Sequence, residues 1–79
     1  MNEWARLRKR AEILKEQYPA GTRIMLKQMD DAQAPPFGTL GTVQGVDAIG
    51  SILVQWDNGS TLSVTEVDEV VKIGKGVSK

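Results

Sequence analysis

The sequence predicts an α+β domain that is mainly β: an amino-terminal amphipathic helix followed by a small five-stranded barrel. Three observations predict it. Residues 2–17 contain no glycine or proline, and Trp4, Leu7, Ala11, Leu14 and Tyr18 recur at alternating spacings of three and four, which marks one stripe of a helix. After Gly21 the texture changes to short β-branched runs punctuated by glycine, the pattern of a small all-β unit. The chain has only 79 residues, enough for one domain that buries roughly 60% of its unfolded surface.

The helix starts at Asn2, whose side chain suits an N-cap, and Glu3 favours the positive end of the helix dipole. Pro19 and Gly21 stop it near Tyr18. Strands are expected near Thr22 to Gln28, Gly41 to Val46, Ser51 to Trp56, Ser60 to Thr65 and Val70 to Ile73. The organisation is thus a helix over 1–18 packed on a barrel over 19–73, with a frayed tail over 74–79. Between the first two strands runs a long loop from Met29 to Gly38, stiffened by Pro35 and Pro36.

Parity fixes the hairpin at Asp57-Asn58-Gly59. A two-residue turn would split the apolar residues between both faces. A three-residue loop with Gly59 as a left-handed bulge pairs Val54 with Leu62 and Ile52 with Val64, so that Ile52, Val54, Trp56, Leu62 and Val64 share one face. The same reasoning favours a four-residue loop Asp47-Ala48-Ile49-Gly50, which sets Val43 opposite Val54. Ile49 then sits at a loop tip, either folded over the barrel rim or offered as a contact point.

Composition excludes several function classes. There is no cysteine and no histidine, so disulfides, thiolate nucleophiles, zinc-thiolate sites and the usual physiological-pH base are all absent. Ser51, Ser60 and Thr61 have no histidine base beside which to act as nucleophiles, and the lysines have no evident desolvated site. A non-enzymatic protein without a cofactor is expected. The amino terminus has no apolar signal segment and no run long enough to span a bilayer, so the expected location is cytoplasmic and no membrane partner is expected.

Ten basic and ten acidic residues cancel, but unevenly. The first 17 residues hold Arg6, Arg8, Lys9, Arg10 and Lys15 against Glu3, Glu12 and Glu16, and the body is mildly acidic. Arg6, Arg8, Lys9 and Arg10, with Arg23 and Lys27, are the candidate nucleic-acid contacts. Consecutive helix positions point about 100° apart, so only part of the run can meet one ligand, and Glu3 and Glu12 are spaced to neutralise it. A solvated face is the preferred reading, because no coherent basic field continues into the barrel.

At this point the residues carry a resemblance. Tyr18-Pro-Ala-Gly-Thr-Arg-Ile24, Met29-Asp-Asp31, Ala34-Pro-Pro36, Gly38-Thr39, Gly41-Thr-Val43, Val46-Asp47, Ile49-Gly50, Val54 and Trp56-Asp-Asn-Gly-Ser-Thr-Leu62 together resemble a domain-of-unknown-function family of short SH3-like barrels. That family is frequent in phages, plasmids and integrated elements of Gram-positive bacteria. The resemblance implies an SH3-like barrel and a mobile-element setting, and it brings no catalytic residues. After Leu62 the sequence departs from the family pattern, with Ser63-Val-Thr-Glu-Val-Asp-Glu69 in place of an apolar-proline-glycine turn. The G-x-V segments and the W-D-N-G turn are more distantly similar to KOW and Mib-Herc2 modules, a likeness of fold that assigns no function.

Two surfaces are candidate partner sites. The stripe Trp4, Leu7, Ala11, Leu14 either completes a thin core or docks on a partner or a second copy, with Trp4 as anchor; Ile13 lies off the stripe. The loop carrying Asp30, Asp31 and Phe37 either presents Phe37 or tucks it onto the barrel. Asp30, Asp31, Asp47 and Asp57 could ligate a hard cation, but they are equally turn formers, and no calcium-loop spacing is present. Four aromatic residues are too few for a proline-motif groove or a single-strand stacking platform. Gly38, Gly41 and Gly45 read as bulge and turn positions, not a phosphate loop. The expected function is a small protein-binding module encoded on a phage or mobile element. The alternatives are a nucleic-acid binder using the basic helix, and a phage inhibitor of host defence that blocks a nuclease or sequesters a nucleotide signal.

Overall fold

A computed structural model describes residues 2–75. The helix α1 spans Glu3–Gln17. Asn2 caps it as expected, its side chain accepting the Ala5 N–H at 2.8 Å, and the Tyr18 N–H closes the last turn on the Leu14 carbonyl at 2.7 Å. The chain reverses through Pro19 to Gly21, where Gly21 adopts φ 94°, and the Thr22 hydroxyl donates to the Pro19 carbonyl at 2.7 Å.

Four strands follow: β1 Thr22–Gln28, β2 Leu40–Val46, β3 Ile52–Trp56 and β4 Glu69–Lys75. All pairings are antiparallel, in the order β3-β2-β1-β4. The first strand has the expected bounds. The last is longer than the expected Val70 to Ile73, and it follows β1 through two register shifts, between Arg23 and Ile24 and between Leu26 and Gln28. Of the expected tail, residues 76–79 lie outside the described residues.

Among the described residues the expected closed barrel of five strands does not form; the sheet is open and has four. The segment expected as a strand from Ser60 to Thr65 makes one bridge, Ile52 with Val64, through two hydrogen bonds of 2.8 Å. The reason is a competition for backbone groups. The Trp56 indole N–H donates to the Leu62 carbonyl at 2.9 Å, and the Leu62 N–H donates to the Ser60 hydroxyl at 3.3 Å. Side chains thereby satisfy the groups that a ladder beside Val54 would have used. Leu62 is accordingly half-buried, not part of the core face as expected.

Both hairpins use one device. Trp56 and Ser60 close the turn Asp57-Asn58-Gly59, with the Trp56 N–H on the Ser60 carbonyl at 2.9 Å, the Gly59 N–H on the Trp56 carbonyl at 3.0 Å and Gly59 at φ 96°. This is the expected three-residue bulged form. Asp47 and Ser51 close Ala48-Ile49-Gly50 in the same way, at 2.9 Å and 3.2 Å, with Gly50 at φ 87°. The expected four-residue loop is therefore one residue shorter. A bulge between Val43 and Gly45 restores parity, and Val43 still stands opposite Val54.

Alternation builds the core. Ile24, Leu26, Val43, Ile52, Val54 and Trp56 point inward from the sheet, joined by Val64 and by Leu14 from the helix. Tyr18, Met29, Val46 and Val70 pack at its margin. Helix α1 crosses the inner face chiefly over β2.

Candidate functional site

The helix stripe divides along its length. Ala11 and Leu14 are buried, Leu7 and Tyr18 are half-buried, and Trp4 is 69% exposed. The sheet ends before the stripe does, so the first turn carries its indole past the edge of the core. Ile13, off the stripe, is 46% exposed.

The basic residues are largely engaged within the domain. Arg6 donates to Glu3 at 2.7 Å and lies 3.2 Å from Glu66. These contacts raise the Arg6 pKa and lower that of Glu3, chiefly through the side-chain hydrogen bond between them. Arg10 Nε donates to the Gly50 carbonyl at 3.3 Å, fixing the helix to the β2–β3 turn. Arg23 on β1 reaches β2 and the turn after β3: Nη1 donates to the Thr42 hydroxyl at 2.7 Å and to the Asp57 carboxylate at 2.9 Å, and Nη2 donates to the same carboxylate at 2.6 Å. Hydrogen bonding from Arg23 lowers the Asp57 pKa, and Asp57 raises that of Arg23. Lys27 Nζ sits 5.3 Å from the centre of the Phe37 ring. Arg8 and Lys9 are exposed on the helix. The six residues do not converge on one surface: four are occupied at separate places.

The long loop is ordered by its own backbone. The Asp31 carboxylate accepts the Gln33 N–H at 2.6 Å, Pro35 is buried, and Gly38 at φ 88° returns its N–H to the Leu26 carbonyl at 2.8 Å. Phe37 stands at the turn and is 71% exposed. The Asp30 N–H donates to Asp68 at 2.9 Å. Asp68 also accepts the Thr65 N–H and hydroxyl, at 2.9 and 3.1 Å, so one carboxylate joins the loop to the turn before β4. Sequence reasoning did not single out Glu66, Val67 or Asp68, although the Thr65-x-x-Asp68 spacing is a recognisable turn signal. Val67, 68% exposed, lies beside the residue that Arg6 holds.

Ile49 is 44% exposed at its loop tip, where the Asp47 carboxylate accepts the Ile49 and Ser51 N–H groups at 3.1 and 2.9 Å. Asp31 and Asp47 thus act as turn formers and Asp57 as an ion-pair partner. Among the described residues no three potential metal ligands gather, and no helix is long and apolar enough to cross a membrane.

An open antiparallel sheet covered on one face by an amino-terminal helix defines a mainly β domain, with Trp4, Phe37 and Ile49 among its exposed apolar residues. Residues 7–73 match the family described as Domain of unknown function (DUF4314), and the chain belongs to that family. The match takes in Phe37 and Ile49 but begins after Trp4. No curated protein and no solved structure matches the chain.

Proposed function

We propose that this domain is a non-catalytic protein-binding module whose contacts centre on Trp4, with Phe37 and Ile49 as further anchors. The observation that carries the reading is Trp4: it continues a stripe whose members Ala11 and Leu14 are buried, yet it is itself 69% exposed. Tryptophan is enriched among residues that dominate interface energy, because burying its ring removes a large apolar area from water. The setting implied by the resemblance, a phage or mobile element, makes a host protein the natural partner. A nucleic-acid reading draws less support, because Arg6, Arg10, Arg23 and Lys27 already have partners within the domain.

Affinity capture from host extract with wild type, Trp4→Ala and Phe37→Ala tests the reading. A partner held by wild type should be lost from Trp4→Ala, while stability changes by no more than about 0.5 kcal/mol, as for other exposed positions. Capture that is indifferent to both substitutions, or retention on DNA that falls steeply with salt, would overturn it.

A further inference from the structure

We propose that Asn58 is a site of spontaneous deamidation, and that the Asp57-Asn58-Gly59 turn sets its rate by holding both reacting groups until the turn opens. The chain has two asparagines, Asn2 before Glu3 and Asn58 before Gly59. The reaction begins when the backbone nitrogen of the following residue, having lost its proton, attacks the side-chain carbonyl carbon. A bulky successor shields that nitrogen, whereas glycine has no side chain to do so. Asn58 and Gly59 are both exposed, and a Cβ added at Gly59 would meet nothing within 4 Å, so solvent reaches the pair.

The folded turn restrains both groups. The Gly59 N–H donates to the Trp56 carbonyl at 3.0 Å, so the proton that must leave is held. The Asn58 side-chain oxygen accepts the Ser60 N–H at 3.0 Å, which fixes the amide in a turn of its own. Trp56 and Ser60 close the loop from outside at 2.9 Å, and Arg23 holds the neighbouring Asp57 carboxylate with two hydrogen bonds. Attack therefore waits on a local opening that releases the Gly59 N–H, an event that costs less than global unfolding.

In the opened turn the Gly59 nitrogen bonds to Asn58 Cγ and expels ammonia, leaving a five-membered succinimide. The Gly59 proton passes through water to the departing nitrogen, and nothing is oxidised or reduced. Water then adds to either ring carbonyl and opens the ring, giving aspartate or isoaspartate at position 58. The isoaspartate form lengthens the backbone by one carbon inside the loop that Trp56 and Ser60 close. It therefore strains a hairpin whose base is Trp56, a core residue 1% exposed. The aspartate form keeps the backbone length and sets a second carboxylate beside Asp57.

Peptide mapping by mass spectrometry on the full chain, held at mildly alkaline pH both folded and in urea, tests the proposal. Conversion should be confined to Asn58 and be at least about tenfold slower in the folded chain than in urea. The slowing should match the protection of the Gly59 amide against hydrogen exchange to within about threefold, because both processes need the same opening. Arg23→Gln, which frees Asp57, should accelerate deamidation and Gly59 exchange together; if that variant does not fold, the wild-type comparison still decides. Equal rates in folded and unfolded chains overturn the proposal. So does a folded Asn58 that outlasts the Gly59 protection by more than about tenfold, conversion of Asn2 as fast as that of Asn58, or a folded Arg23→Gln that leaves deamidation unchanged.

Discussion

Gly41 and Gly45 lie four residues apart on β2, and the same change to alanine should have opposite effects at the two. A Cβ on Gly41 would stand 2.7 Å from Trp56 Cε3 and 2.8 Å from Val54 Cγ1, both far inside van der Waals contact. Neither neighbour can retreat easily: Trp56 and Val54 are 1% and 2% exposed, and the indole is tied to the Leu62 carbonyl. Overpacking of this kind costs about 1–3 kcal/mol, partly offset by the roughly 0.4–1 kcal/mol that glycine replacement gains through the unfolded chain. A net loss of about 2 kcal/mol is expected, a large share of the roughly 4–12 kcal/mol available to a chain this size. The melting temperature should fall by about 8–16 °C. At Gly45 a Cβ meets nothing within 4 Å, so Gly45→Ala should hold or slightly raise stability. Thermal and urea unfolding followed by circular dichroism measure both. If Gly41→Ala melts at or above wild type, or if the two variants match, the close packing of Trp56 over Gly41 is refuted.

Three further outcomes follow from single contacts. Asp68→Ala should lose about 1–2 kcal/mol in urea unfolding, because its carboxylate accepts three hydrogen bonds from Asp30 and Thr65; an unchanged midpoint would refute that pin. Trp56→Phe removes the donor to Leu62 and should cost about 1–3 kcal/mol through the stranded carbonyl, with a midpoint within error of wild type as the contrary result. Arg23 lowers the Asp57 pKa, so this carboxylate contributes stability that is fully present above the ordinary value near 3.9 and is lost as pH falls through its lower folded value. Urea unfolding carried stepwise below about pH 4 should show a weaker loss of stability in Asp57→Asn than in wild type, and matching acid limbs would exclude the pair as a contributor.

What the sequence revealed and what it hid separate by range. The helix bounds, the start and end of β1 and the bulged Asp57-Asn58-Gly59 turn were legible, because capping, periodicity and turn chemistry act between residues a few positions apart. The fate of residues 60–65 was not. Their alternation suits a strand, and only the position of one indole N–H decides that Leu62 gives its carbonyl to a side chain. Gly41 reads as a bulge glycine in the sequence; its reason lies across the sheet in Trp56. Likewise, the carboxylate of Asp57 looks like a turn former until Arg23, far away in the chain, is seen to reach it. The basic run was visible but its use was not, since nothing local shows that Glu66 or Gly50 will stand beside the helix.

The exposure of Trp4 gains meaning from what holds its turn in place. A first helical turn that adds no residue to the core ordinarily frays, because its leading N–H groups have no partners in the helix. Here that turn is tied three times: by the Asn2 cap at 2.8 Å, by the Glu3–Arg6 pair at 2.7 Å and by Arg6 reaching Glu66 at 3.2 Å. None of these contacts adds to the core. Their combined effect is to present an apolar ring on a helical turn that is already ordered, so a partner that buries it has less conformational entropy to remove. Arg6, a candidate phosphate contact in the sequence against the preferred reading of a solvated face, serves in the fold to tie the turn that bears the exposed Trp4 ring.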